Sequence, residues 1–125
     1  MSETTRHKVY DLEERTLEFA GAVRSFVKGL PRTVANIEDA RQLIKASGSV
    51  GANYIEANNA LGKKDFLMRI RICRNEAKES SYWLRLVSVG DDPSLESAQA
   101  ALTQEAIELT SIFGAILRKS EQARV

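Results

Sequence analysis

Apolar residues recur along the chain in alternating steps of four and three, the spacing that keeps one face of an α-helix apolar. Leu12, Phe19, Val23, Phe26 and Leu30, with Thr16 in step, form the first such run. Asp11 stands where it can cap this helix, and Glu13 and Glu14 follow in the first turn, where the helix dipole favours acids. Gly29-Leu30-Pro31 ends it. The second run reads Ile37, Ala40, Ile44, Ser47, Gly51, Tyr54, Asn58 and Leu61, begins between Thr33 and Asn36, and stops at Gly62. The third reads Phe66, Ile70, Cys73, Ala77, Ser80, Leu84 and Val87, with Asp65 as its cap. Gly90-Asp91-Asp92-Pro93 is a turn, after which Ser94 caps a fourth run of Leu95, Ala98, Leu102, Ala106, Leu109, Phe113 and Ile116.

Connections this short place consecutive helices side by side and antiparallel. The pattern therefore predicts an all-α protein, an antiparallel up-down-up-down four-helix bundle. Its helices span about 11–28, 34–61, 65–89 and 94–120, within a bundle over 10–122 that follows a flexible polar tail at 1–9.

Composition narrows the chemistry. A chain of 125 residues is one domain, and 18 Lys+Arg against 17 Asp+Glu leave no globally basic or acidic tail. Cys73 is the single cysteine, so no disulfide forms within the chain, and it reads as a small core residue. The single histidine, His7, falls in the tail, so a His-based metal or catalytic site has little to work with, and no Ser/His/Asp or Cys/His set exists. No signal-peptide pattern and no apolar run near the ~20 residues of a membrane span are evident. The expectation is a cytoplasmic protein that is not an enzyme, with no metal, no cofactor, no membrane contact and no small-molecule substrate.

Two features stand out within this frame. Gly48 and Gly51 lie inside the second helix, where each glycine costs ~1 kcal/mol relative to alanine. Close approach of a neighbouring helix offsets such a cost; a kink or an anion-binding loop is the other reading, and Gly62-Lys63-Lys64-Asp65 lacks the spacing of a phosphate loop.

The third helix has three faces at ~100° per residue. One is the seam. A second is basic, with Lys64, Arg71, Arg74, Lys78 and Arg85; seven basic residues against three acids lie between Lys63 and Arg85. The last carries Met68, Ile72, Trp83 and Leu86, with Glu76 and Glu79 among them. Seam and last face together make an apolar arc wider than one core needs. Either that face is a subunit interface or this helix is the most central of the four. Glu76 and Glu79 have no histidine in metal-ligand spacing and read as ion-pairing or hydrogen-bonding groups, with Asn53, Glu56, Arg41 and Arg69 as candidate partners. The basic face reads as a solvated surface or as a contact for phosphate backbones.

These residues also form an ordered series: Leu30-Pro31, Gln42-Leu43, Ser47-x-Ser49-Val50-x-x-Asn53-x-x-Glu56-Ala57, Lys64-Asp65-Phe66, and Glu76-Ala77-x-Glu79-Ser80-x-x-Trp83-Leu84. The series, over roughly residues 10–120, resembles the bacterial "four helix bundle protein" family, whose founding members are encoded in intervening sequences of large-subunit ribosomal RNA genes. It is distantly similar to accessory proteins of diversity-generating retroelements, which bind nucleic acid and a reverse transcriptase. The resemblance implies a compact bundle, often a homopentamer, without enzymatic activity. Where relatives often carry a glycine and a Ser/Arg-rich linker after the second helix, Asn58-Asn59-Ala60-Leu61 is expected to continue the helix to Gly62.

Two functions follow as expectations. The first is an oligomeric bundle that contacts RNA, DNA or a nucleic-acid enzyme through basic Lys64, Arg71, Arg74, Lys78 and Arg85, with Asn53, Glu56, Ile72, Glu76, Glu79 and Trp83 in structural or interface roles. The second is a protein-interaction scaffold with no nucleic-acid role.

Overall fold

A computed structural model describes residues 11–122, so the expected tail at 1–9 and His7 lie outside the described residues. Four helices follow one another: α1 (Leu12–Lys28), α2 (Val34–Asn58), α3 (Lys63–Leu86) and α4 (Pro93–Gln122). No strand occurs among the described residues. The helices pack in sequence, α2 on α3 and α3 on α4 most extensively, while α1 lies on α2 and touches α4 more lightly. This is the predicted all-α four-helix bundle.

Local chemistry sets the helix ends. Asp11 accepts a hydrogen bond from the Glu14 amide at 3.0 Å, as expected of a cap. The Thr33 hydroxyl accepts from the Asn36 amide at 3.1 Å and starts α2. Two expected caps are replaced. Asp65 lies inside the first turn of α3, whose cap position is Gly62, and Asp92 caps α4 in place of Ser94, accepting from the amides of Ser94 and Leu95. Pro93 then takes the first helical position, where its fixed φ is suited and its missing N–H costs nothing. Gly90 has φ +69 in the preceding turn, a conformation that side chains other than glycine's disfavour.

The core holds Phe19, Val23 and Phe26 of α1, Leu43 and Val50 of α2, Ile70, Cys73, Ala77 and Leu84 of α3, and Leu102, Leu109, Phe113 and Leu117 of α4. Three of the four predicted seams are observed; α2 is the correction. Ala40, Ser47 and Tyr54 face inward as expected, but the other half of the seam is Asn36, Leu43, Val50 and Ala57, each one residue before Ile37, Ile44, Gly51 and Asn58. Ile37 is exposed. One residue is about 100° of rotation, so the inward face swings to the other side of the shared Ala40, Ser47 and Tyr54 positions.

Asn36 explains the choice. Its buried amide donates to the carbonyls of Pro31 (2.9 Å) and Ser88 (2.8 Å) and accepts from the Ser88 amide (3.0 Å), binding the α1–α2 and α3–α4 connections together. A buried amide is retained where its hydrogen bonds are made.

Helix α2 also stops at Asn58, before the expected Leu61. The Asn59 side chain and backbone turn back to the Ile55 carbonyl, and Leu61, 102% exposed, has no core to enter. Helix α3 ends at Leu86 rather than at residue 89. Gln99 of α4 donates to the carbonyls of Leu84 and Val87 there, satisfying acceptors a helix end leaves open.

Gly51 shows why a glycine sits mid-helix. A Cβ at that position would lie 2.8 Å from Thr16 Oγ1, so α1 and α2 approach closely there. The close-approach reading of this glycine is the observed one. By length and composition alone helix α4 could cross a membrane. In the bundle, Leu102, Ala106, Leu109, Phe113 and Leu117 form its core face, and Glu105 and Glu108 bind Arg15 of α1 at 2.7 and 3.0 Å.

Candidate nucleic-acid interface

The seven-residue register of α3 distributes its side chains. Ile70, Ala77 and Leu84 share one core position and Cys73, Ser80 and Val87 the other. Flanking the core on the α2 side are Arg69, Glu76 and Trp83; on the α4 side are Leu67, Arg74 and Ser81. Outward of the α4 side comes one row, Lys64, Arg71, Lys78 and Arg85, at seven-residue intervals. All four are exposed, and Arg74, beside the row, is half-buried. At 1.5 Å rise per residue the cations stand ~10 Å apart along ~30 Å of helix.

Arg71 has a partner, Glu121 Oε2 of α4 at 3.4 Å, an exposed pair of small energetic weight. Lys64, Arg74, Lys78 and Arg85 make no ion pair among the described residues. Lys63 and Lys64 join Leu67 and Arg71 around a shallow depression at the start of α3, which adds Lys63 to the residues singled out from sequence.

The opposite flank is arranged differently from the expectation. Arg69 donates from Nη1 to Asn53 Oδ1 at 2.9 Å, and Asn53 donates to the Ser49 carbonyl of its own helix, so Asn53 joins α2 to α3. Arg41 lies 3.9 Å from Glu38 in its own helix. Neither arginine therefore partners Glu76. Burial raises the Glu76 carboxyl above its ordinary range, the neighbouring Glu79 adds to that, and Lys45 of α2 opposes it. Glu79 and Glu56 are exposed, and Ile72 is half-buried. Trp83 meets Tyr82 edge-to-face at 5.0 Å, and its indole Nε1 is buried without a hydrogen-bond partner.

Cys73 donates to the Val50 carbonyl at 3.4 Å, and burial pushes its thiol up to about 12, the property of an inert core thiol. No group of three or more His, Cys, Asp or Glu placed to hold a metal occurs among the described residues. Sequence reasoning missed Asn36, Gln99 and the ion pairs of Arg15, all of which depend on partners from distant segments; the signal available for Asn36 was a polar residue beside the second seam.

Fold and site together define a small antiparallel four-helix bundle with a row of exposed cations along its third helix. The chain belongs to the 23S rRNA-intervening sequence protein family, whose sequence model matches residues 8–114. Among solved structures, it is similar to a protein of unknown function from the S23 ribosomal protein family of Bacteroides thetaiotaomicron. That similarity has a TM-score of 0.71 at 23% identity, over 84% of this chain and 96% of that one, and it establishes the shared fold. No curated protein matches the chain. Neither the family nor the neighbour is a known enzyme.

Proposed function

We propose that this chain is a non-enzymatic, self-associating bundle of the cytoplasm that contacts RNA or DNA through the basic face of α3, directly or alongside a nucleic-acid enzyme. One observation carries the reading: Lys64, Arg71, Lys78 and Arg85 stand in one exposed row, and only Arg71 has an anionic partner among the described residues. Structural ion pairing does not account for the other three, whereas a polyanion spanning several helical turns does.

Self-association is supported by the exposed apolar side chains of α3: Met68 and Leu86 are about half exposed. The resemblance to pentameric bundles makes a homopentamer the favoured assembly. Sedimentation velocity at micromolar concentration is expected to show a species several times the 13.9 kDa protomer; a monomer overturns this part of the reading.

Nucleic-acid contact is tested by mobility shift with labelled RNA and DNA at ~50 and ~200 mM salt. Binding that weakens steeply between the two is expected, because phosphate contacts release counterions. No binding at ~50 mM salt overturns it. Charge reversal of Arg71, Arg74 and Lys78 together is expected to abolish binding while helical circular dichroism is unchanged. A protein partner retained after nuclease treatment, with no shift of either nucleic acid, favours the scaffold reading instead.

A further inference from the structure

Helix α2 carries a second apolar stripe that its own bundle leaves open. Ile37, Ile44, Gly48 and Ile55 recur at steps of seven, four and seven, the spacing of a helix seam. Asn36 fixes the core stripe one residue away, so Ile37 and Ile55 are exposed and Ile44 is half-buried. Single exposed apolar residues need no explanation, but a periodic stripe does. Leu17 extends it onto α1: it is exposed and follows Thr16, the residue that meets Gly51. Cations border the stripe. Arg24 lies over Gly48, with Nη2 3.5 Å from where a Cβ would be, and Arg41 sits one turn from both Ile37 and Ile44. The nearby acid Glu13 is held by Asn58.

The next face, between α2 and α3, combines apolar groups with the opposite charge. Met68 and Leu86 are exposed and Ile72 is half-buried. Glu38 and Glu56 of α2 border it with Glu76 and Glu79 of α3, against Lys45. Arg69, the other cation on that side, is taken by Asn53. An apolar face rimmed by cations and an apolar face rimmed by acids are complementary, and two unlike faces on one chain dock head-to-tail.

The levels of the two faces along the bundle agree. Thr16 lies beside Gly51, and Cys73 donates to the Val50 carbonyl, so Thr16, Val50 and Cys73 stand near one level. Counted from there, Ile55 and Met68 are both five residues towards the open α2–α3 end, and Ile37 and Leu86 are both thirteen residues the other way. Arg24 and Glu79 lie ~12 and ~9 Å from that level in the same direction, at 1.5 Å per residue.

We propose that the α1–α2 face of one copy docks, side by side and parallel, on the α2–α3 face of a second copy. Leu17, Ile37 and Ile55 meet Met68, Ile72 and Leu86 of the second copy, and Arg24 meets its Glu79. This interface rests on the self-association proposed above and names its surfaces. Both faces share α2 and meet at about a right angle, so repeated docking closes a ring of roughly four or five copies with α2 innermost. The cation row of α3 lies on its α4 side, clear of both faces, and stays open to a polyanion.

Sedimentation velocity at micromolar concentration tests the interface. Leu17→Asp and Ile55→Asp on the first face, and Met68→Asp on the second, are each expected to reduce the assembly to the 13.9 kDa protomer with helical circular dichroism unchanged. An equimolar mixture of L17D and M68D keeps one intact face of each kind. It is expected to give a species of twice the protomer mass and nothing larger. Arg24→Glu and Glu79→Arg are each expected to lower the assembled mass, and the double variant to restore it.

A parent protein that sediments as a protomer removes self-association and this interface with it. If the parent assembles and L17D, I55D and M68D keep its mass, self-association stands on another surface and the interface is wrong. If the single variants dissociate but their mixture stays at protomer mass, head-to-tail docking is wrong. A double charge variant that stays dissociated overturns the facing of Arg24 and Glu79.

Discussion

The two ends of this bundle are built on opposite principles. At one end, where α1 meets α2 and α3 meets α4, buried amides close the structure. Asn36 joins Pro31 to Ser88, and Gln99 caps the last carbonyls of α3. At the other end, where α2 meets α3 and α4 finishes, Leu61 is fully exposed, Gly62 offers α3 no side-chain cap, and Lys63, Lys64, Arg118 and Lys119 face solvent. The closed end makes its backbone polar groups safe from water; the open end leaves groups available. The polar groups that hold the bundle together thus concentrate at one end, and the other end carries exposed side chains without such partners.

Substitutions can break or sharpen this contrast. The largest effect is expected from Asn36→Ala at the closed end. It removes the partner of the Ser88 amide and the Ser88 carbonyl, while the Pro31 carbonyl keeps the Thr33 amide, and the expected loss is about 3 kcal/mol, read as a lower denaturant midpoint at constant slope. A loss under about 1 kcal/mol would show that water satisfies this site and that the end is not closed.

Gln99→Ala, which frees the carbonyls of Leu84 and Val87, is expected to cost about 1 to 2 kcal/mol in the same measurement. Native-state hydrogen exchange should then accelerate at the last turn of α3 and leave the first turn of α3 unchanged. Acceleration at both ends would mean that the ends open together.

Glu76→Gln probes the middle of the bundle through pH. The carboxyl's folded-state pKa is raised, so the native state binds the proton more tightly than the unfolded state. Stability therefore falls as pH rises from the ordinary value of 4.5 through the raised one. The variant is expected to melt higher than the parent at pH 7, and the difference should vanish below pH 4.5. A variant that melts lower at pH 7 would show that the charge of Lys45 outweighs the burial of Glu76.

The smallest effect belongs to the open end. Leu61→Ser is expected to change stability by less than about 0.5 kcal/mol, as for other surface substitutions without partners. A larger loss, present only at concentrations where the protein self-associates, would place Leu61 in a subunit contact.

Much of this structure is legible in the chain. Alternating four-three spacing is a local property, so three seams, the Asp11 cap, the start of α2 near Thr33 and the Gly90 turn follow from residues a few positions apart. So does the cation row of α3, since seven-residue intervals place Lys64, Arg71, Lys78 and Arg85 on one line of any helix in this register. The α2 seam was not legible, because Ile37 and Ile44 lie on an equally periodic stripe. Asn36 outcompetes them through Ser88, which is fifty-two residues away.

The sequence by itself determined the helices, the four-helix class and which helix is cationic, because each depends on periodicity and local hydrogen bonding. Only the tertiary structure decided which face of α2 turns inward and that Arg69 serves Asn53 and not Glu76. Those outcomes depend on distances between segments remote in the chain, and no spacing along one helix encodes where another helix will lie.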